Sequence, residues 1–177
     1  MKINSRSPIA CALLLLAGAA SGAADEVCPE PTEVPTVPHE VTQDLVAWIA
    51  LHTMYDVTGL FHDPPAISFC KVGDWIDYED QTLLVEPELN AAYNYAGRVI
   101  HLVEPWSPDD PYDRSVLLHE FIHVVQLANH DWPCTGAPEL EAYMLQAEYL
   151  SDYGIDPGFD WRSIFLLSLC PEQSPGN

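Results

Sequence analysis

Apolar residues recur with two different periods along this chain, and the changes of period divide it into elements. From Glu40 to Val57, the residues Val41, Leu45, Trp48, Ile49 and Tyr55 fall at helical spacing and Gly59 follows as a stop. This predicts a packing helix, with His52 on its apolar stripe as a structural histidine. Pro64 and Pro65 mark a turn, after which Ala66 to Val72, Gln81 to Glu86 and Arg98 to Glu104 have the β-branched, apolar character of short strands. Ala91 to Tyr95 adds a further strand, and Asn94 to Gly97 a turn into the next, which together predict a small antiparallel sheet. Helical spacing then returns. Asp110 caps a helix whose first position suits Pro111, with Asp113 in its first turn, and the pattern continues to about Asn129. This helix is apolar nearly all round, as expected of a buried central one. A break from Asp131 to Gly136 ends it, a second helix runs from near Pro138 through Glu139 to Leu150 with Gly154 beyond, and Trp161 to Leu169 predicts a short last helix.

The two ends of the chain change this picture. Lys2 and Arg6 precede the apolar run Ile9 to Ala17, and small residues follow to Ala24, the three-part layout of a secretory signal over residues 1–24. Cys11 lies within that segment, ahead of most of the run, a position that argues against lipid attachment. The run is too short to span a bilayer stably, so no membrane insertion is expected of the mature protein, which is placed in the periplasm or outside the cell. Residues 25–39 carry Pro29, Pro31, Pro35 and Pro38 and read as an extended lead-in, leaving 40–177 as a single domain. Cys28, Cys70, Cys134 and Cys170 then remain, an even number that predicts two disulfides without choosing among three pairings. With 27 Asp and Glu against 6 Lys and Arg, the surface repels nucleic acid and anionic lipid. The acidic group Asp74, Asp77, Glu79 and Asp80 lacks the spacing and glycine of a calcium loop and reads as a solvated loop.

Candidate chemistry concentrates in the central helix, where Leu117 to Gln126 reads LLHEFIHVVQ and contains HExxH. On a helix His119 and His123 lie one turn apart on one face, so both imidazoles reach a single metal ion, and Glu120 stands beside them within reach of a water. Gln126 and His130 share that face and are candidates for outer-shell or substrate contacts. Catalytic zinc ordinarily takes three protein ligands and a water, so two histidines are incomplete. A third histidine six residues after the second would continue a known pattern, but that position is Asn129 and His130 falls one step late. Glu139, Glu141 and Glu148 on the following helix remain as carboxylate candidates.

The combination of LLHEFIHVVQ, a short break and ELEAYMLQAEYL resembles the compact gluzincin-type zinc metallopeptidases and the uncharacterised secreted bacterial HExxH proteins related to them, over roughly residues 115–150. The resemblance implies that His119 and His123 are metal ligands, Glu120 the general base, and Glu141, which precedes Ala142, the third ligand. Glu139 competes, but it falls in the first helical turn where a carboxylate has an ordinary dipole role. Where the family often has aspartate after the Glu-Ala pair, this chain has Tyr143, and Gln146 is the candidate to replace that outer partner.

The expected fold class is therefore α+β, a small zincin-like domain with a short antiparallel sheet packed on the HExxH helix and a following glutamate-bearing helix. The expected function is hydrolysis of peptide bonds in a peptide or protein substrate, with one Zn2+ per chain and Glu120 as general base. Tyr143, Tyr149, Tyr153, His101 and His130 are candidates to steady the developing oxyanion, and the strand around Val99 to Val103 is the candidate edge for an extended substrate. Two other classes compete: an exported zinc-binding protein without peptidase activity, and a metal-free, acidic, disulfide-bonded interaction module.

Overall fold

The structure is a computed structural model that describes Cys28, residues 37–78 and residues 81–171. The expected signal segment, most of the proline-rich lead-in, and Glu79 and Asp80 lie outside the described residues. The element order is α1 (His39–His52), α2 (Thr58–His62), β1 (Ala66–Cys70), β2 (Trp75–Tyr78), β3 (Gln81–Leu84), β4 (Ala91–Asn94), β5 (Val99–Val103), α3 (Pro111–Asn129), α4 (Glu139–Asp152) and α5 (Trp161–Leu167). The fold class is α+β, as the alternation of periods predicts.

Two local expectations are corrected. The first helix ends at His52, because Thr53 adopts extended backbone while its amide and hydroxyl both bond the Ile49 carbonyl. Gly59 does not stop that helix; it lies inside the short α2. The central helix begins as expected, with the Asp110 side chain accepting the Tyr112 amide at 2.8 Å and Pro111 in the first turn. Gly154 follows α4 at φ 69°, a left-handed conformation that glycine adopts without steric cost.

The sheet is mixed rather than antiparallel. Its order is β1-β5-β4, with β1 parallel to β5 (Ala66 opposite Val99) and β4 antiparallel to β5 (Ala91 opposite Leu102), while β2 and β3 form a separate hairpin. Strands next to each other in sequence need not be neighbours in a sheet: the chain leaves β1, makes the hairpin, and returns through β4 and a tight turn before β5 inserts between β4 and β1. That turn is closed by the Gly97 amide bonding the Asn94 side chain and by Arg98 at φ 52°. Consequently β5 is the central strand, with neighbours on both sides. It cannot serve as an open edge for substrate, and the expectation that it does is overturned.

One core holds the helices on the sheet. Leu45 and Ile49 of α1, Ile100 and Leu102 of β5, Leu117, Leu118, Phe121 and Ile122 of α3, and Ala142 and Leu150 of α4 are all fully buried within it. The helix carrying HExxH is thus sequestered on most of its circumference, which fixes its rotation and the direction of its polar face. The disulfides are Cys28–Cys70 and Cys134–Cys170. The second ties the turn after α3 to the end of α5, where a Cβ at position 136 would collide with the Leu167 carbonyl, so Gly136 permits the close approach. Asp74 is buried and its carboxylate accepts the Lys71 amide at 2.7 Å, closing a turn instead of facing water. Among the described residues no helix is long and apolar enough to cross a membrane.

Candidate metal centre

His119 and His123 project from one face of α3, and their Nε2 atoms approach to 3.0 Å with the rings at 83°. Helix α4 packs against α3 and delivers Glu139 from its first turn. Glu139 Oε2 lies 3.5 Å from His119 Nε2, and Oε1 lies 3.4 Å from His123 Nε2. One donor atom from each of these three residues falls within 4.8 Å of the others, so the trio could hold a metal ion.

Glu141, the third ligand implied by the family resemblance, is not in this cluster. Its Oε2 accepts the Tyr55 hydroxyl and, at 2.9 Å, the Gln126 side-chain amide. The physical reason is the rotation of α4, whose buried side runs through Ala142, Gln146, Tyr149 and Leu150. Glu139 lies three residues before Ala142 and seven before Gln146, two full helical turns, and so stands on that stripe; Glu141 does not. The spacing to Gln146 was the available signal. The outer partner and the ligand must share a face, and only Glu139 shares it with Gln146.

Both glutamines are oriented by partners left only to accept from them. Gln126, fully buried, donates its amide to the Pro138 carbonyl at 3.1 Å and to Glu141, which leaves its Oε1 facing His123 Nδ1 at 2.9 Å. Ser115 donates to the Tyr112 carbonyl and accepts from the Gln146 amide at 3.1 Å, so Gln146 Oε1 faces His119 Nδ1 at 3.1 Å. Each imidazole must then carry its proton on Nδ1 to donate to its glutamine. As neutral rings, both would direct an Nε2 lone pair at the other and at the Glu139 carboxylate. Acceptors so placed repel unless a positive charge lies among them.

Doubly protonated imidazoles supply the same positive charge that an ion would. Burial pushes the Glu139 carboxyl up, but hydrogen bonds and charge from His119 and His123 in that form outweigh it and hold it down at about 2. Burial opposes charge on His123, yet Glu139 and Glu120 prevail and raise its pKa. Glu120 is buried beside the histidines with its carboxyl pushed up, chiefly by desolvation, against the opposing charge of His119 and His123 and a smaller lowering from a hydrogen bond with the Tyr93 amide of β4. The β4 register explains that amide. Val103 N–H bonds the Asn90 carbonyl, so Ala92 and Asn94 pair inward with β5, while the backbones of Ala91 and Tyr93 face away from it. Nothing local in the sequence marks Tyr93, Ser115 or Tyr55 as members of this network, because each joins it across the fold.

Tyr143 packs its ring against His119 at 4.5 Å, and burial, reinforced by the charges of Glu139 and Glu120, raises its hydroxyl pKa, keeping it a donor. Tyr55 is likewise held protonated, by burial and by Glu141. His130 packs against Tyr55 and Trp132 at the end of α3 and does not join the cluster. Tyr149 and Tyr153 pair with each other by their hydroxyls at 3.3 Å. His101 sits on the opposite side of the sheet, its Nδ1 2.7 Å from the Ser68 hydroxyl and beside the Cys28–Cys70 disulfide. His52 stacks on Trp48 at 3.9 Å and bonds the Trp48 carbonyl, a structural histidine.

Fold and site together define a small α+β protein with a largely buried two-histidine, one-glutamate cluster on packed helices. The chain belongs to a family described as a domain of unknown function, DUF6647, whose model matches residues 35–175. No curated protein and no solved structure matches it.

Proposed function

We propose that this protein is an exported zinc-dependent metallopeptidase that hydrolyses peptide bonds, with His119 Nε2, His123 Nε2 and the Glu139 carboxylate as the protein ligands and Glu120 as general base. The observation that carries the reading is the convergence of two imidazole Nε2 atoms and a carboxylate on one point, with both imidazole Nδ1 atoms already engaged by glutamine side chains. Two histidines and one carboxylate favour zinc over harder divalent ions. A zinc ion held there would supply Lewis acidity toward a water molecule and the scissile carbonyl. Glu120, next to His119 on α3, accepts the water proton at its carboxylate and passes it to the leaving nitrogen. The Tyr93 amide orients that carboxylate, and its raised affinity for a proton suits a group that must take one and give it up. The Tyr143 hydroxyl is the donor best placed for the developing oxyanion, since it stays protonated beside His119.

The backbone available to an extended substrate is that of β4. Its Ala91 groups and Tyr93 carbonyl face away from β5 near Glu120, and pairing there would lay a peptide alongside the base. Export is supported by the signal-like residues 1–24 and by two disulfides, which persist in oxidising compartments.

Elemental analysis of the purified protein tests the metal assignment. About one zinc per chain is expected in the wild type and in Glu120→Gln, and much less in Glu139→Ala. A peptide library then tests hydrolysis, with Glu120→Gln as the inactive control. No zinc in any form after refolding with the metal would remove the proposal.

A further inference from the structure

Glu141 stands outside the metal cluster yet is tied to it. It lies exposed on α4 and lines an open cavity together with Tyr55, His52 and His130, on the side of His123 away from Glu139. Its Oε2 receives two hydrogen bonds, from the Tyr55 hydroxyl just past the end of α1 and from the Gln126 amide of α3, so one oxygen joins three helical regions of the core. Acting as a ligand, Glu141 would have to give up both. Gln126 is fully buried, and a buried amide whose two ends were reversed would set its carbonyl oxygen against the Pro138 carbonyl and the Glu141 carboxylate.

Resting on the proposed zinc site, we infer that Glu141 is a positioning residue for His123, acting through Gln126: its carboxylate, together with the Pro138 carbonyl, fixes the direction of the Gln126 amide, which in turn fixes His123 as the Nδ1–H tautomer with Nε2 free for the metal. The chain runs Tyr55 O–H to Glu141 Oε2, Gln126 N–H to the same oxygen, and His123 Nδ1–H to Gln126 Oε1. Every link has one donor and one acceptor, and the direction is set jointly by Glu141 at the surface and by the Pro138 carbonyl, which accepts from the same Gln126 amide nitrogen. His119 has no such tie to the surface. Its glutamine is held by Ser115, which is fully buried.

A charge swap tests the direction. Gln126→Glu places a carboxylate against two acceptors, Pro138 O and Glu141, and is expected to weaken zinc binding by about 10- to 100-fold. Adding Glu141→Gln returns a donor to the pair, since the amide then present at position 141 donates to the carboxylate at position 126, to which His123 still donates, and is expected to recover part of the lost affinity, the Pro138 carbonyl staying opposed. Glu141→Gln alone keeps an acceptor for Gln126 and Tyr55 and is expected to bind zinc within about threefold of wild type, since changes at outer partners cost far less when the bond survives. Affinity is read by competition with a coloured chelator, and the His123 tautomer by its ring 15N shifts. Should Gln126→Glu not fold, Glu141→Lys applies the same test from the exposed end by turning the acceptor into a donor. It is expected to cost about tenfold in affinity.

The inference is overturned if Glu141→Gln alone loses zinc as completely as His123→Ala, which is the outcome for a direct ligand. It is equally overturned if the double variant is no better than Gln126→Glu, or if Glu141→Lys binds as wild type. A wild-type protein that takes no zinc would sink the zinc reading alone. The 15N shifts would still decide the relay: His123 as Nδ1–H in the wild type, altered in Gln126→Glu and restored in the double variant, supports it, and an Nε2–H tautomer in the wild type overturns it.

Discussion

Among the described residues, two places gather three metal-capable side chains with donor atoms within 4.8 Å of one another: His119, His123 and Glu139 between α3 and α4, and Cys28, Cys70 and His101 behind the sheet. They differ in what the atoms face. In the second group the two sulfurs are bonded to each other and His101 Nδ1 is taken up by Ser68 at 2.7 Å, so these three donor atoms already have partners. In the first, the outer nitrogen of each imidazole is held by a glutamine and the inner nitrogens and a carboxylate are left facing one another. Proximity is common to both. Only the first arrangement is short of a positive charge, and that shortage distinguishes a candidate ligand set from a well-packed structural cluster.

The comparison can be broken by experiment. The largest expected effect is at the first cluster, where His123→Ala should abolish stoichiometric zinc in elemental analysis, while Cys28→Ala with Cys70→Ala should leave the zinc count unchanged. Zinc lost in the cysteine pair and kept in His123→Ala would reverse the assignment of the two clusters. Next, Glu120→Gln should keep zinc and lower turnover of a library-derived peptide by about 10²- to 10⁴-fold, the usual contribution of a general base. Tyr143→Phe should cost about 10²-fold in kcat if its hydroxyl meets the oxyanion; a rise in KM alone would assign it to substrate binding instead.

At the second cluster the effect should be on stability. Removing the Cys28–Cys70 link should lower unfolding stability by about 2–4 kcal/mol in a denaturant titration, from the freed loop in the unfolded chain. The smallest effect is expected outside both clusters, at Asp160, whose side chain accepts the Arg162 and Ser163 amides and the Ser163 hydroxyl and so caps α5. The Ser163 hydroxyl and amide hold its carboxyl below the usual value. A group depressed in the folded state stabilises it above the unfolded pKa and loses that contribution as pH falls through the folded one. Melting followed by Trp161 fluorescence should therefore show a slight acid-side loss that is absent in Asp160→Ala.

Much of the fold was legible because it is local. The Asp110-Pro111 start of α3 depends on neighbours two residues apart, and HExxH places both histidines on one face whatever surrounds the helix. The three strands around Ala66, Ala91 and Val99 likewise follow from short apolar runs bounded by turn residues. Where expectation failed, the deciding interaction joined residues distant in sequence. The parallel pairing of Ala66 with Val99 depends on which strand inserts between which, and propensity carries no such information.

The choice between Glu139 and Glu141 shows the boundary most clearly. By itself the sequence determined that a helix bears two histidines and a glutamate on or beside one face, that a second helix follows with carboxylates, and that four cysteines remain outside the signal-like segment. Those properties depend on helical periodicity and composition, which act over a few residues. Tertiary structure alone decided that α4 turns Glu139 toward the histidines and Glu141 toward Tyr55, that Cys28 meets Cys70 and Cys134 meets Cys170, and that β5 lies at the centre of the sheet. The physical reason is that the rotation of one helix against another is set by burial of its whole apolar side, here Ala142, Tyr149 and Leu150 against the common core, and not by the two residues whose roles it assigns.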